Sequence, residues 1–239
     1  TLLSLMLVNN ETGAIQPVAD AAALAKKHGA LVHCDAVQAA GRIPLDIAAL
    51  GVDFLTLSAH KLGGPQGVGA LVLGLCGITP TLLDGGGQEK MARAGTENVA
   101  GIAGFGLAAE LALQSLSACQ KHCSALQKAL EEKILALTPN AVIHAATAPR
   151  AMNTTMFSLP NASAQTLLLA FDLEGIALSN GSACSSGTVK PSHVLKAMGV
   201  SDSLNSAALR VSTGWATTEG DIAAFLTAYE KVTKRMKGT

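Results

Sequence analysis

Apolar residues come in two rhythms along the first half of the chain. The short runs "LLSLMLV", "ALVHCD", "VDFLTLS" and "GVGALVLG" have the length and content of strands, and the first predicts a buried one. "PVADAAALAKKHG" carries helical spacing, with Pro17 near its start and Gly29 past its end. "LDIAALG" predicts a shorter helix, and a glycine-rich turn separates the last two strands. Strands alternating with helices imply an α/β arrangement, a mostly parallel sheet covered by helices.

The pattern changes near Asn98. "VAGIAGFGLAAELALQSLSACQKHCSALQKALEEKILAL" is one long helical run, expected to lead from one domain to another. Beyond it, "NTTMFSL" and "ALRVSTG" predict strands, and "SAQTLLLAFDLEG", "SHVLKAMG" and "TEGDIAAFLTAYEKVTKRMK" predict helices. The expected division is therefore a larger sheet domain over residues 1–115 and a smaller α+β domain over residues 116–239. The sequence contains no internal repeat, low-complexity tract or long linker.

Composition narrows the function classes. The chain is 49% hydrophobic and 14% charged, enough to bury a core, and Lys+Arg balance Asp+Glu at 17 each. Nothing here favours nucleic acid or an anionic membrane as a partner. Mean hydropathy is positive, but no uninterrupted apolar run approaches the ~18 residues of a spanning helix. The opening "TLLSLMLVNNE" lacks the basic flank of a signal peptide. With no initiator methionine, it is expected to belong to a fragment or processed chain missing its N-terminal part. Five irregularly spaced cysteines do not form a disulfide framework and fit a reducing, cytoplasmic setting.

Lys61 stands between the apolar "VDFLTLS" and the turn of Gly63, Gly64 and Pro65, where a strand ends and a loop begins. Asp35 ends an earlier strand in the same manner. If the two strands lie side by side and parallel, both side chains emerge at the carboxyl edge, where α/β sheets bind ligands. A lysine and a carboxylate facing one crevice suit pyridoxal phosphate. The amine forms the Schiff base and the carboxylate keeps the ring nitrogen protonated. Taken singly, Asp35 reads equally well as a surface turn residue and Lys61 as a solvated lysine.

"VNNETG", "HCDAVQAAG", "SAHKLGGPQGVGAL", "GGGQE…RAGTEN" and "SNGSACSSG…PSHVLKAMG" occur here in that order. Together they resemble the pyridoxal-phosphate-dependent cysteine desulfurases of the NifS/IscS type, in the class-V aminotransferase family, over nearly the whole length. The resemblance implies fold type I of the pyridoxal-phosphate transferases. Residues 1–115 would be the C-terminal part of the large cofactor-binding domain, and residues 116–239 the small domain with the cysteine loop.

It also implies roles. Lys61 matches the Schiff-base lysine, Asp35 the partner of the pyridinium nitrogen, and Gln38 a donor to the phenolic oxygen. Ser58 and His60 match a phosphate-binding pair, though His60 reads equally as a packed structural residue. Asn10 matches an asparagine near the cofactor oxygen and the substrate carboxylate, or a plain turn residue. Thr96 matches a threonine reaching the phosphate bound to the neighbouring subunit, which implies a homodimer with a shared active site. Arg210 matches the arginine that grips the substrate carboxylate, a task suited to its planar fork. "RAMNTT" departs from the pattern, with Met152 where the family often has proline.

Cys184 lies in a run of small polar residues, where a thiol is accessible for reaction. The resemblance makes it the sulfur acceptor. L-cysteine would become L-alanine, its sulfur passing to Cys184 as a persulfide and on to an acceptor protein such as an iron–sulfur scaffold. One form of that contact would be a cluster bridged at Cys184. An aminotransferase, a selenocysteine lyase or a silent partner-binding fragment are the alternatives. Cys34, next to Asp35 on a strand, is expected to face the opposite way, into packing. Cys119, His122 and Cys123 share a helical stretch but lack a fourth ligand for zinc, and no metal is expected.

Overall fold

The computed structural model describes residues 1–74, 76–181 and 191–237. They form two compact units, Thr1–Val8 with Gln16–Ser117, and Asn9–Ile15 with Ala118–Thr239. Residues 9–15, expected within the first domain, group with the second instead. The backbone gives the reason. Ile15 N–H donates to the Pro149 carbonyl at 2.8 Å, and Ala151 N–H to that of Gly13 at 2.9 Å.

In the first unit, strands β1 (Leu2–Met6), β2 (Leu31–Asp35), β3 (Phe54–Ser58) and β4 (Gly69–Leu73) form one sheet in that order. β1, β2 and β3 run parallel, and β4 is antiparallel to β3. Helix α1 (Val18–Lys27) buries Val18 and Ala22, carries Asp20 in its first turn and Lys26 and Lys27 in its last, and so suits its own dipole. Gly29 follows it with φ +68°, a conformation open to glycine. The short helix α2 (Ile47–Leu50) is capped by Asp46, which accepts from the N–H groups of Ala48 and Ala49.

β2 alternates, with Val32 and Cys34 buried and Leu31, His33 and Asp35 half-buried on the other face. The buried strand expected at the start is an edge strand: in β1, Leu2, Ser4 and Met6 are exposed. An apolar run alone does not distinguish a strand covered on both faces from one at the edge of a sheet.

Helix α3 (Val99–Leu137) gives its first residues to this unit and the rest to the other. A Cβ on Gly104 would come within 2.7 Å of Pro65 Cγ, and one on Gly64 within 3.1 Å of Ala108 Cβ. The glycines after Lys61 thus let the turn lie directly against α3. This helix, its apolar run interrupted by Glu110, still meets a looser test of length and composition. An 18-residue window of it reaches a mean hydropathy of 1.5 with 17% of its residues buried, so by length and composition it could cross a membrane. A core helix passes the same test, and α3 has Glu110 within its apolar half.

The second unit holds an antiparallel sheet of β5 (Val142–Ile143), β6 (Thr154–Ser158) and β7 (Ala208–Ser212), in that order. Its helices are α4 (Ala164–Leu173), α5 (His193–Ala197), α6 (Asp202–Asn205) and α7 (Glu219–Lys237). The C-terminal part of α3 supplies Leu126, Leu130 and Ile134 to a core with Phe157, Phe171, Leu209, Phe225 and Tyr229. Phe171 and Phe225 stack with centroids 5.5 Å apart. β5 and α6, too short to show a period, are the elements that the hydrophobic pattern does not reveal.

Candidate functional site

Two clusters of candidate side chains form, one in each unit. In the first, Asp35 is the last residue of β2, and its Oδ1 accepts from Val37 N–H at 2.9 Å, starting the turn that carries Gln38. Lys61 ends the single 3-10 turn Ala59–Lys61, immediately after β3. Because β2 and β3 are adjacent and parallel, with Asp35 opposite Thr56, the carboxylate and the amine belong to the same edge of the sheet. Both are half-buried.

Arg42 joins the two turns. Its Nη1 donates at 2.9 Å to the backbone carbonyl and to Oε1 of Gln38, and its Nη2 lies 3.4 Å from the Lys61 carbonyl. The motifs did not single it out, although its place four residues after Gln38 is the spacing of one helical turn. Ser58 Oγ and His60 Nδ1 are 2.8 Å apart, His60 being exposed. His33, on the same face of β2 as Asp35, is held between Ser4 Oγ (2.8 Å) and Thr56 Oγ1 (3.2 Å). It too went unnoticed in the sequence.

Cys34 is fully buried on the opposite face. Burial, with a smaller contribution from the Asp35 charge, pushes its thiol up to about 11. Such a thiol is inert packing. Thr96 is exposed, in the loop between the turn Gln88–Met91 and α3. That loop is shaped by Arg93 Nη1, which donates to the Gly95 carbonyl at 2.7 Å, and by Gln88 Oε1, which accepts from Gly95 N–H at 3.2 Å.

The second cluster is built on β7. Arg210 exchanges backbone hydrogen bonds with Ser179, and its Nη1 donates to the Asn10 carbonyl at 2.8 Å. Asn10 sits inside a tight turn made by its neighbour. Asn9 Oδ1 accepts from Glu11 N–H (3.0 Å), Thr12 N–H (2.9 Å) and Thr12 Oγ1 (3.1 Å). Asn10 and Arg210 therefore meet within one unit, although 200 positions separate them. Cys184 lies outside the described residues, and no position is assigned to it.

On α3, Cys119 Sγ and Cys123 Sγ are 3.9 Å apart, while His122 Nε2 is 2.6 Å from the Thr217 carbonyl. Among the described residues, no group of three His, Cys, Asp or Glu side chains could hold a metal ion. The first cluster does offer what a phosphorylated pyridine aldehyde requires. It has an amine, a carboxylate on the neighbouring strand, an amide donor and a hydroxyl–imidazole pair, all at strand ends or in the turns that follow them, at one sheet edge. The residues fit that group.

The mostly parallel α/β sheet, with Asp35 ending one strand and Lys61 in the turn after its parallel neighbour, has the fold of the pyridoxal-phosphate transferase type. Residues 1–225 match the family model described as aminotransferase class-V, and the chain belongs to that family, whose members depend on pyridoxal phosphate. A curated relative, "Cysteine desulfurase" of Trichormus azollae, is 39% identical over 99% of this chain. A solved NifS-like protein from Rickettsia africae superposes with a TM-score of 0.90 at 41% identity, covering 98% of this chain and 62% of its own. "SspA in complex with cysteine" gives a TM-score of 0.70 at 30% identity, covering 89% of this chain and 58% of its own. The chain spans only 59% of the length of the Trichormus azollae relative.

Proposed function

We propose that this chain carries out, as part of a cysteine desulfurase, the conversion of L-cysteine to L-alanine with transfer of the sulfur to Cys184. The observation that carries the reading is the placement of Asp35 and Lys61 at one edge of neighbouring parallel strands, their turns stitched by Arg42. The names of the relatives, and the cysteine bound to one of them, support the same substrate.

Pyridoxal phosphate, when bound, supplies an electron sink for the carbon bearing the substrate's amino group. Lys61 would hold the cofactor through its amine and, with L-cysteine bound, its Nζ would take the α-proton. Asp35 would keep the ring nitrogen protonated, and Gln38 would donate to the phenolic oxygen. Ser58 and His60 would bind the phosphate, and Thr96 would reach the phosphate held by a second copy, making a homodimer. Asn10 and Arg210 orient the substrate carboxylate.

The Cys184 thiolate attacks the substrate sulfur. The carbon–sulfur bond breaks, a sulfur–sulfur bond forms, the β-carbon takes a proton, and the proton held by Lys61 returns to the α-carbon to complete alanine. A persulfide remains on the enzyme, to be passed in the cytoplasm to an acceptor such as an iron–sulfur scaffold. Cys184→Ser should retain the cofactor's absorbance and lose alanine and persulfide formation. Undiminished alanine production by that variant, or a keto acid as the product of the unmodified chain, would refute the reading.

A further inference from the structure

Glu11 is a buried carboxylate that the assigned roles leave unused. It is 1% exposed, and its Oε1 meets no hydrogen-bond partner among the described residues. Its Oε2 accepts a hydrogen bond from Ser192 Oγ, across 181 positions of sequence. A buried carboxylate with one oxygen unsatisfied costs stability that an apolar residue of similar shape would not. Its presence therefore calls for a reason other than packing.

The reason lies in what Ser192 and Glu11 each join. Ser192 caps α5, its Oγ accepting from Leu195 N–H at 3.0 Å. Its backbone N–H and carbonyl are both held by the Asn205 side chain at 2.8 Å. Gly181, on the other side of residues 182–190, approaches the same point. A Cβ added there would lie 3.2 Å from Ser192 Cβ and 3.4 Å from Glu11 Oε2. Gly181 and Ser192 bracket the stretch that contains Cys184. One residue before Glu11 stands Asn10, whose carbonyl receives Arg210 Nη1. All of these residues belong to the second unit.

We propose that Glu11 is a positioning residue, whose carboxylate, gripped by Ser192, sets both the Asn10–Arg210 pair and the Gly181–Ser192 neck of the Cys184 stretch. The arginine assigned to the substrate carboxylate and the ends of the stretch carrying the sulfur acceptor are thereby referenced to one buried anchor. The functional part of this assignment rests on the desulfurase reading; the anchor itself does not.

The test uses the full chain and the variants Glu11→Ala, Glu11→Gln and Ser192→Ala. Iodoacetamide labelling, read residue by residue by mass spectrometry, reports on the neck without any cofactor. Glu11→Ala and Ser192→Ala should each change the Cys184 labelling rate at least about threefold while Cys76 and Cys119 keep theirs. Glu11→Gln, which still offers Ser192 an acceptor, should restore the Cys184 rate to within about twofold. With the loaded enzyme, KM for L-cysteine should rise about fivefold in the alanine variants and recover in Glu11→Gln. Unchanged Cys184 labelling in Ser192→Ala would overturn the proposal, as would acceleration at all cysteines together, including when Glu11→Ala fails to fold. Absence of alanine from the unmodified chain would sink the desulfurase reading alone, because the labelling comparison stands without it.

Discussion

Arg42 grips Gln38 twice, its Nη1 lying 2.9 Å from both the backbone carbonyl and the side-chain Oε1 of that residue. The amide oxygen of Gln38 is thereby occupied, which leaves its NH2 group to donate elsewhere, as a partner of a phenolic oxygen must. The second nitrogen of the same guanidinium reaches the carbonyl of Lys61. One planar fork thus sets the turn after β2 relative to the turn after β3.

A lysine cannot reproduce that fork. Arg42→Lys should raise the Kd for pyridoxal phosphate about tenfold, roughly the loss of one charge-assisted hydrogen bond. Absorbance titration checks this. An unchanged Kd would mean that the turns keep their places without Arg42.

Cys34 should resist alkylation in the folded chain. With its thiol near 11, about one molecule in a thousand carries the thiolate at pH 8, and its side chain is fully buried. Iodoacetamide labelling before and after denaturation should show Cys34 modified only in the unfolded chain, with half-buried Cys76 labelled in both states.

His144 should make the second unit sensitive to mild acid. Ser158 Oγ donates to the Leu204 carbonyl at 2.7 Å, so it accepts from His144 Nε2–H, also at 2.7 Å. Burial lowers this imidazole below its ordinary 6.5. The unfolded chain then binds the proton more readily than the folded one. Stability is full above about 6.5 and falls as the pH drops from there toward the folded value. Denaturant titrations between pH 5 and 8 should show this slope, and His144→Gln should flatten it.

Glu131 holds Arg150 through two bonds of 2.8 Å and also accepts from Thr155 Oγ1 at 2.8 Å. The arginine side chain is only 9% exposed and the glutamate 16%. Glu131→Ala would strand a largely buried guanidinium, at about 3 kcal/mol. Replacing Glu131 and Arg150 together by leucine and methionine should cost less than the single change. Denaturant midpoints of the single and double variants decide this.

Much of the placement of the candidate site residues was legible at the level of local sequence. Lys61 and Asp35 each close an apolar run, and a run with turn residues after it ends a strand wherever the strand goes. Pro17 and Gly29 mark helix limits by backbone geometry, which a few neighbours suffice to specify. The turns that carry Gln38 and Lys61 are visible in the same way.

What local sequence could not express was pairing over distance. That β2 lies beside β3, that β1 is a bare edge, and that residues 9–15 join the second unit depend on surfaces brought together from far along the chain. Arg42 became visible only when Lys61 stood beside its fork, and Glu11 only when Ser192 arrived from the other end of the sequence. Backbone preference acts between neighbours and is written in short runs of residues. Packing and buried hydrogen bonding act between whatever the fold makes adjacent, and only the tertiary structure names those partners.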